Sequence, residues 1–260
     1  HRKIAVIDGN VGFTGGINLA DEYINEYEKH GYWKDSSILL KGKAVWNLTI
    51  MFLSMWEYAT GKTDEDYERY KPTLHTPSAG YVQPFADSPL DGQLIGEFAY
   101  MNMINNAKRY VYISTPYLIL DNEMTSVLTL AAQSGIDVRI TTPHVADKWY
   151  VHMVTRANYA QLIEAGVKIY EYTPGFIHAK TMVVDDEFAI VGTTNFDFRS
   201  FYLHFECGVW MYQTDAVMQV YEDYQKIMEQ SQTISLEECT KISFPKRILR
   251  AVLRLFAPLM

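Results

Sequence analysis

The amino-acid sequence predicts an α/β fold built of two similar halves, with one functional site at the pseudo-twofold interface between them. The first observation is an internal repeat, because the polar pattern of residues 178–195 recurs in residues 1–18. The second is the alternation of strand-like apolar runs with helix-like segments after residue 80, which is typical of βαβ units. Polar positions that recur while the apolar ones drift indicate repeated chemistry on a repeated scaffold.

Each copy of the repeat places the same polar residue types at the same spacing. The copies contain His1, Lys3, Asp8, Gly15 and Asn18, and His178, Lys180, Asp185, Gly192 and Asn195. On a strand, residues i and i+2 share a face, so each His is predicted to stand beside its Lys. A nucleophile or acid, a fixed cation and an amide donor at one point suit a phosphate ester, whose chemistry is mainly positioning and charge neutralisation. For one copy alone, a plain β-hairpin is the alternative; the repetition favours the chemical interpretation.

The first half is predicted to contain strands at residues 3–7, 11–14 and 37–41 and a short helical stretch after Gly16. A helix at residues 44–60 ends at Gly61, and we expect it to be buried, because its apolar run is shorter than the ~20 residues of a membrane span. We divide the chain into the remainder of a first half (1–61), a linker (62–80), a second half (81–243) and a basic amphipathic C-terminal helix (244–260).

The second half is predicted to alternate strands and helices. Asp91 opens its first helix, with Asp87 and Ser88 as other cap candidates, and Thr214 caps its last. The predicted strands lie at residues 81–85, 110–114, 137–141, 167–172, 181–184, 188–191 and 206–212. The predicted helices lie at residues 91–106, 124–133, 148–164 and 214–229.

Composition limits the partners of the protein. A hydrophobic content of 48% with 21% charged residues is ordinary for a globular α/β protein, and a net charge of −8 argues against a general nucleic-acid binder. The two cysteines, Cys207 and Cys239, provide neither a disulfide framework nor a zinc cluster, and they favour a reducing compartment.

The C-terminal residues have a different character from the rest of the acidic chain. Four cations, Lys246, Arg247, Arg250 and Arg254, alternate with apolar residues at helical spacing. Such a helix either docks on the core with its arginines directed outward or lies on an anionic membrane surface. The residues alone leave both alternatives open.

These motifs resemble the signature of the phospholipase D superfamily, which is two copies of H-x-K-x4-D-x6-G-[GS]-x-N. The second copy departs from it at Thr193, which occupies the Gly/Ser position. The surrounding segments WKD, TPYLILDNE and AGVKIYEYTPGFIHAK are similar to those of bacterial cardiolipin synthases. The resemblance implies a phospholipase D-like fold whose first half is truncated, because the sequence begins inside a motif and the family carries transmembrane helices and further elements upstream.

The resemblance also implies an activity: phosphatidyl transfer between two phosphatidylglycerol molecules, giving cardiolipin and glycerol through a phosphohistidine. The expected partners are this phospholipid and the membrane surface, with no nucleic acid, metal or cofactor. The expected location is the bacterial cell membrane with the catalytic part on the cytoplasmic side; the oligomeric state stays open. The alternatives are another phospholipase D-type phosphodiesterase, a phospholipase or nuclease, and a scaffold that binds phosphate without catalysis.

The resemblance assigns roles to the matching residues. It implies His1 as nucleophile and His178 as general acid and base, with phosphate bound by Lys3, Asn18, Lys180 and Asn195. An acidic residue about thirty positions beyond each motif His orients that His, and Asp35 and Glu206 fit. Asp8 and Asp185 belong to the catalytic motif, but their odd offsets from the histidines predict structural pairing at the hairpin turns.

The histidines outside the motifs show no metal-ligand spacing, and we expect them on the surface or in the core. One of them marks a second departure from the family. Leu203-His204 precede Phe205-Glu206, where cardiolipin synthases often carry Asn just before Phe-Glu.

Overall fold

The structure, a computed structural model, describes residues 1–63, 66–77, 79–90 and 92–259. Its strands are β1 (Ile4–Ile7), β2 (Val11–Gly15), β3 (Tyr32–Lys34), β4 (Ser37–Lys41), β5 (Tyr81–Asp87), β6 (Tyr110–Ser114), β7 (Leu118–Ile119), β8 (Asp137–Pro143), β9 (Lys168–Tyr172), β10 (Gly175–Ile177), β11 (Thr181–Val184), β12 (Phe188–Gly192), β13 (Phe196–Asp197), β14 (Glu206–Tyr212) and β15 (Ser231–Thr233). Its α-helices are α1 (Val45–Thr60), α2 (Ile95–Asn106), α3 (Asn122–Gln133), α4 (Trp149–Glu164), α5 (Asp215–Glu229), α6 (Leu236–Thr240) and α7 (Phe244–Arg254).

An eight-stranded sheet forms the centre of the second half, in the order β15-β9-β8-β6-β11-β12-β14-β5. Alternate residues of β6 face opposite sides of this sheet. Val111 and Ile113 pack in the core that α2, α3 and α4 cover, whereas Tyr110 and Tyr112 pack in the core beneath α5. Both faces of the central strands are therefore buried, which explains why their sequences are continuously apolar.

The first half contributes a smaller sheet, β1-β2-β4, that repeats part of the large one. A constant 177 positions separate the start of β1 at Ile4 from that of β11 at Thr181, and the start of β2 at Val11 from that of β12 at Phe188. Both hairpins also pair in the same register, Ile4 with Thr14 and Thr181 with Val191. The predicted repeat is therefore a repeat of structure. The α/β fold of two related halves is confirmed.

Several predicted elements differ from those observed. The helix after Gly16 is a single 3₁₀ turn at Asp21–Tyr23. The helix at 44–60 is α1, and it is buried on one face only, because Phe52 and Trp56 are exposed. Thr214 holds the N-cap position of α5 but makes no side-chain capping bond.

The start of α2 also differs from the prediction. Asp91, where we placed it, lies outside the described residues, as do linker positions 64, 65 and 78. Asp87 accepts a hydrogen bond from the main chain of Gly96 in the first turn of α2, at 2.8 Å. Leu94 holds the N-cap position, so Asp87 is not the cap residue, but this predicted cap candidate does satisfy one of the free N–H groups at the start of the helix.

The C-terminal helix α7 is shorter than predicted and lies against α4. Leu253 and Ala257 pack near Val151 and Val154, whereas Phe244 and Leu255 stay exposed. Among the described residues, no helix has the length and apolar character needed to cross a membrane.

Candidate active site

Two short strands bring the two motif copies together. β3 of the first half pairs in parallel with β10 of the second, with Lys34 opposite Ile177. The main-chain N–H of His178 then donates to Lys34 O at 2.7 Å. At the equivalent place, the main-chain nitrogen of His1 donates to Phe205 O, also at 2.7 Å. Each motif His is thus anchored to the residue that precedes an acidic residue of the other copy.

The predicted placement of His and Lys within a strand is wrong in both copies. β1 begins at Ile4 and β11 at Thr181, so His and Lys lie in the extended segment immediately before each strand. Because each lysine lies outside the strand, its side chain can turn back toward the main chain of the histidine two residues before it. Lys180 Nζ donates to His178 O at 2.5 Å, and Lys3 Nζ donates to His1 O at 2.7 Å.

The two carboxylates cross between the copies. His178 Nδ1 lies 2.7 Å from Asp35 Oδ2, and His1 Nδ1 lies 3.0 Å from Glu206 Oε2. We expected each histidine to pair with the acid downstream in its own copy, so that pairing is wrong. Both acidic side chains are buried. An ionised carboxylate only accepts hydrogen bonds, so it fixes the ring proton on Nδ1 and leaves the Nε2 lone pair free.

Burial determines the protonation of the second copy. Desolvation, and then the nearby Lys180, lower the pKa of His178 to about 4, although Asp35 acts in the opposite direction. Desolvation also lowers the pKa of the fully buried Lys180 to about 7, with Asp35 again opposing the shift. The pKa of the more exposed Lys3 is likewise lowered by burial. Without a bound anion, His178 is therefore neutral at pH 7.

The motif asparagines occupy different surroundings. Asn195 is buried and donates from Nδ2 to Asp197 Oδ2 at 3.0 Å, while its Oδ1 has no hydrogen-bond partner among the described residues. Asn18 is half-buried and lines a cavity of about 490 Å³ together with Lys3. The predicted phosphate-binding side chains of the first copy are therefore partly exposed to solvent, whereas those of the second copy are buried.

The motif aspartates lie at the far ends of the strands from the histidines. Asp185 accepts main-chain hydrogen bonds from Lys108, Arg109 and Tyr110 at 2.6–2.9 Å, and it fixes the turn after β11 to the start of β6. Asp8 and Asp185 both adopt a left-handed backbone conformation, with φ of 52° and 58°. The contacts of Asp185 agree with the structural pairing that we predicted.

Two residues beside Glu206 were missed as parts of the site. Thr193 Oγ1 donates to Glu206 Oε2 at 2.5 Å and accepts from the main chain of Cys207 at 3.0 Å. His204 Nδ1 lies 3.3 Å from Glu206 Oε1. Both were visible in the sequence only as departures from the family pattern.

Two carboxylate-held imidazoles and two lysines, carried by a duplicated hairpin in an α/β sandwich, define a two-motif protein of the phospholipase D class. The family model for the cardiolipin synthase, PLD-like domain matches residues 100–230. The chain belongs to this family.

Relatives and a solved structure resemble the chain over its whole length. It is 46% identical to an uncharacterized protein of Streptococcus mutans and 41% identical to a cardiolipin synthase of Alkalihalophilus pseudofirmus, in each case over 100% of the chain. It covers 56% and 52% of those proteins, so the chain spans about half the length of the curated relatives it matches. The crystal structure of phosphatidylserine synthase from Haemophilus influenzae shares its fold. The TM-score is 0.74 at 15% identity, with 100% of this chain and 68% of that chain covered.

Proposed function

We propose that the protein transfers a phosphatidyl group between two phosphatidylglycerol molecules, giving cardiolipin and glycerol. The crossed His–carboxylate pairs carry this proposal. They provide two imidazoles with defined tautomers, which is what a displacement through a covalent intermediate requires. The relation to a cardiolipin synthase supports the choice of phospholipid. The proposed organisation is that of the four segments predicted from the sequence, with the site between residues 1–61 and 81–243.

In the first step, Nε2 of His1 attacks the phosphorus of one phosphatidylglycerol. A P–N bond forms, the P–O bond to the terminal glycerol breaks, and the imidazolium of His178 gives its proton to the leaving glycerol oxygen. In the second step, His178 Nε2 accepts the proton of a glycerol hydroxyl from the second phosphatidylglycerol. That oxygen attacks phosphorus, the P–N bond breaks, and cardiolipin is released.

This scheme requires His178 to gain a proton when the substrate binds. The lowered pKa values of His178 and Lys180 belong to the unliganded site. A phosphodiester anion beside them favours their charged forms, and two unit charges 4 Å apart interact by about 4 kcal/mol at an effective dielectric constant of ~20. Substrate therefore brings a negative charge to a site in which, at pH 7, His178 is neutral and Lys180 is only partly protonated. Lys3, Asn18 and Asn195 complete the cradle for the phosphoryl oxygens.

The test is transfer by the full-length protein with vesicles of phosphatidylglycerol, followed by acid quenching and peptide mass spectrometry. We expect cardiolipin and glycerol in equal amounts and a phosphatidyl adduct on the peptide that contains His1. An adduct on His178 would reverse the two roles. Cleavage of single-stranded DNA without cardiolipin formation would favour the nuclease alternative and overturn the proposal.

We further propose that α7 holds the site at an anionic membrane surface, on the cytoplasmic side that the two free cysteines favour. Exposed apolar residues and the exposed cations Lys246, Arg247 and Arg254 share this helix. Each cation near an anionic surface contributes about 1 kcal/mol.

Exchanging two of these cations tests the membrane contact. Because each cation contributes about 1 kcal/mol, the double variant Lys246→Gln with Arg247→Gln is expected to weaken binding to phosphatidylglycerol vesicles by about tenfold or more. The matched control exchanges the exposed Lys41 and Lys62 for Gln and should leave binding unchanged. Equal losses in both variants would mean that net charge, and not α7, drives binding.

A further inference from the structure

A third histidine shares the carboxylate that holds His1. Nδ1 of His1 and Nδ1 of His204 approach different oxygens of Glu206, at 3.0 and 3.3 Å. The three ligand atoms lie within 4.8 Å of one another. The 3.3 Å contact between His204 Nδ1 and Glu206 Oε1 is not a hydrogen bond, and neither buried atom has a hydrogen-bond partner among the described residues. Two imidazole nitrogens and a carboxylate therefore lie close enough together to share one ion.

We propose that His1, His204 and Glu206 form an inhibitory site for a transition-metal dication, with zinc as its best-suited ion. Two imidazole nitrogens and one carboxylate match the ligand types and number of three-ligand zinc sites, which leave a fourth position for water. Ligands of a tetrahedral zinc ion at its usual bond lengths stand about 3.4 Å apart. The two separations from Glu206, 3.0 and 3.3 Å, are close to this spacing, and all three ligand atoms lie within 4.8 Å of one another, so the imidazoles would approach each other by up to about 1.4 Å on binding. The His1 side chain is 29% exposed, so an ion reaches the site from solvent.

Inhibition follows from the atom that the metal takes. In the arrangement described above, Nδ1 of His1 carries the ring proton toward Glu206, and Nε2 keeps the lone pair. A metal on Nδ1 requires the lone pair there, so the remaining ring proton resides on Nε2. Nε2 then has no lone pair with which to attack phosphorus. The metal-bound form is inactive in the transfer reaction, a consequence that rests on the proposed function, whereas the metal site itself does not.

Binding is tested first without activity, by adding cobalt(II) to the metal-free full-length protein and recording its visible absorption, with zinc binding followed by calorimetry. We expect one equivalent of cobalt to give the intense bands of a four-coordinate ion and zinc to displace it. The variant His204→Asn, which removes the imidazole and keeps a polar side chain, should lose the bands. His75→Asn, at an exposed histidine away from the cluster, is the matched control and should keep them.

Activity then tests the consequence. With free zinc fixed by a metal buffer at about ten times its dissociation constant, only about one tenth of the protein stays metal-free, so transfer falls about tenfold. His204→Asn should transfer at nearly the same rate with and without zinc. Cobalt or zinc binding that persists in His204→Asn would mean that His1 chelates the ion without His204, and the proposed site would be wrong. Metal binding without inhibition would retain the site and overturn the inhibitory role. If the protein bound the metal but its metal-free form transferred no phosphatidyl group, the result would count against the proposed function and leave the metal site standing.

Discussion

The two motif copies have the same backbone arrangement and opposite surroundings. In the second copy, Lys180 and Asn195 are buried and the His178 side chain is 9% exposed. In the first copy, the His1 side chain is 29% exposed and Lys3 is half-buried. The repeat therefore fixes where the groups stand, while the packing around each copy sets their charge. One site thus holds a solvent-accessible imidazole and an enclosed, neutral one.

The comparison also shows that neither copy is complete by itself. Each histidine depends on a carboxylate of the other copy for its tautomer. Its main-chain nitrogen donates to the residue just before that carboxylate, Lys34 for His178 and Phe205 for His1. A change in one copy should therefore act first on the histidine of the other. This dependence makes the crossed arrangement testable.

Exchanging the carboxylates for amides should give the largest effect. In Asp35→Asn, the amide donates to His178 Nδ1, the ring proton moves to Nε2, and the wrong tautomer results. By analogy with carboxylates of catalytic triads, we expect transfer to fall by about 10²–10⁴-fold. Nitrogen NMR of the imidazoles should report a changed tautomer for His178 and an unchanged His1 ring. Glu206→Gln should do the reverse.

A nearby surface carboxylate provides the control. Asp223 pairs with Lys34, the neighbour of Asp35, and is 37% exposed, so Asp223→Asn should leave transfer nearly unchanged. If Asp35→Asn altered the ring of His1 and spared that of His178, the carboxylates would act within their own copies and the crossed contacts would be wrong.

The sequence predicted the repeated hairpins far better than the pairing of each histidine with a carboxylate of the other copy. The constant spacing of the polar residues placed both hairpins, because a strand period of two and a Gly-ended return leave little freedom of register. The crossing depends on β3 and β10, which have three residues each and carry no periodic signal. We paired each histidine with an acid of its own copy from their separation along the chain. That separation contains no information on which loops meet in space, so the prediction was wrong. His204 was set aside for the same reason: its partner His1 lies at the other end of the chain.

Removing the buried lysine should separate activity from stability. Lys180→Met keeps the volume and removes the cation, so we expect transfer to fall by about 10²–10³-fold. Burial lowers the pKa of Lys180 from 10.5 to about 7, so the unfolded chain binds more protons between these two pH values. The free energy of unfolding of the wild type should therefore rise with pH across this window, by at most ~1.4 kcal/mol per pH unit from this group.

The variant should lack this contribution, and its stability relative to the wild type should be greatest near pH 7 and decline toward pH 9. Urea unfolding at several pH values measures the difference. Lys3→Met, in the more open copy, should change the slope less. Equal slopes in the wild type and Lys180→Met would mean that Lys180 is not desolvated in solution.

The smallest effect should come from the position at which the copies differ, Gly16 in the first and Thr193 in the second. A Cβ on Gly16 would lie 2.1 Å from Asp35 Oδ1, so a side chain there would displace the carboxylate that holds His178.

At Thr193 there is room, and its hydroxyl donates to buried Glu206. Thr193→Val keeps the shape and removes this donor, which should lower the free energy of unfolding by about 1–3 kcal/mol. Thr193→Ser keeps the donor and should stay close to the wild type. Because Glu206 holds His1, transfer by Thr193→Val should fall while His178 keeps its tautomer; equal stability of Val and Ser variants would show that the hydroxyl contributes nothing.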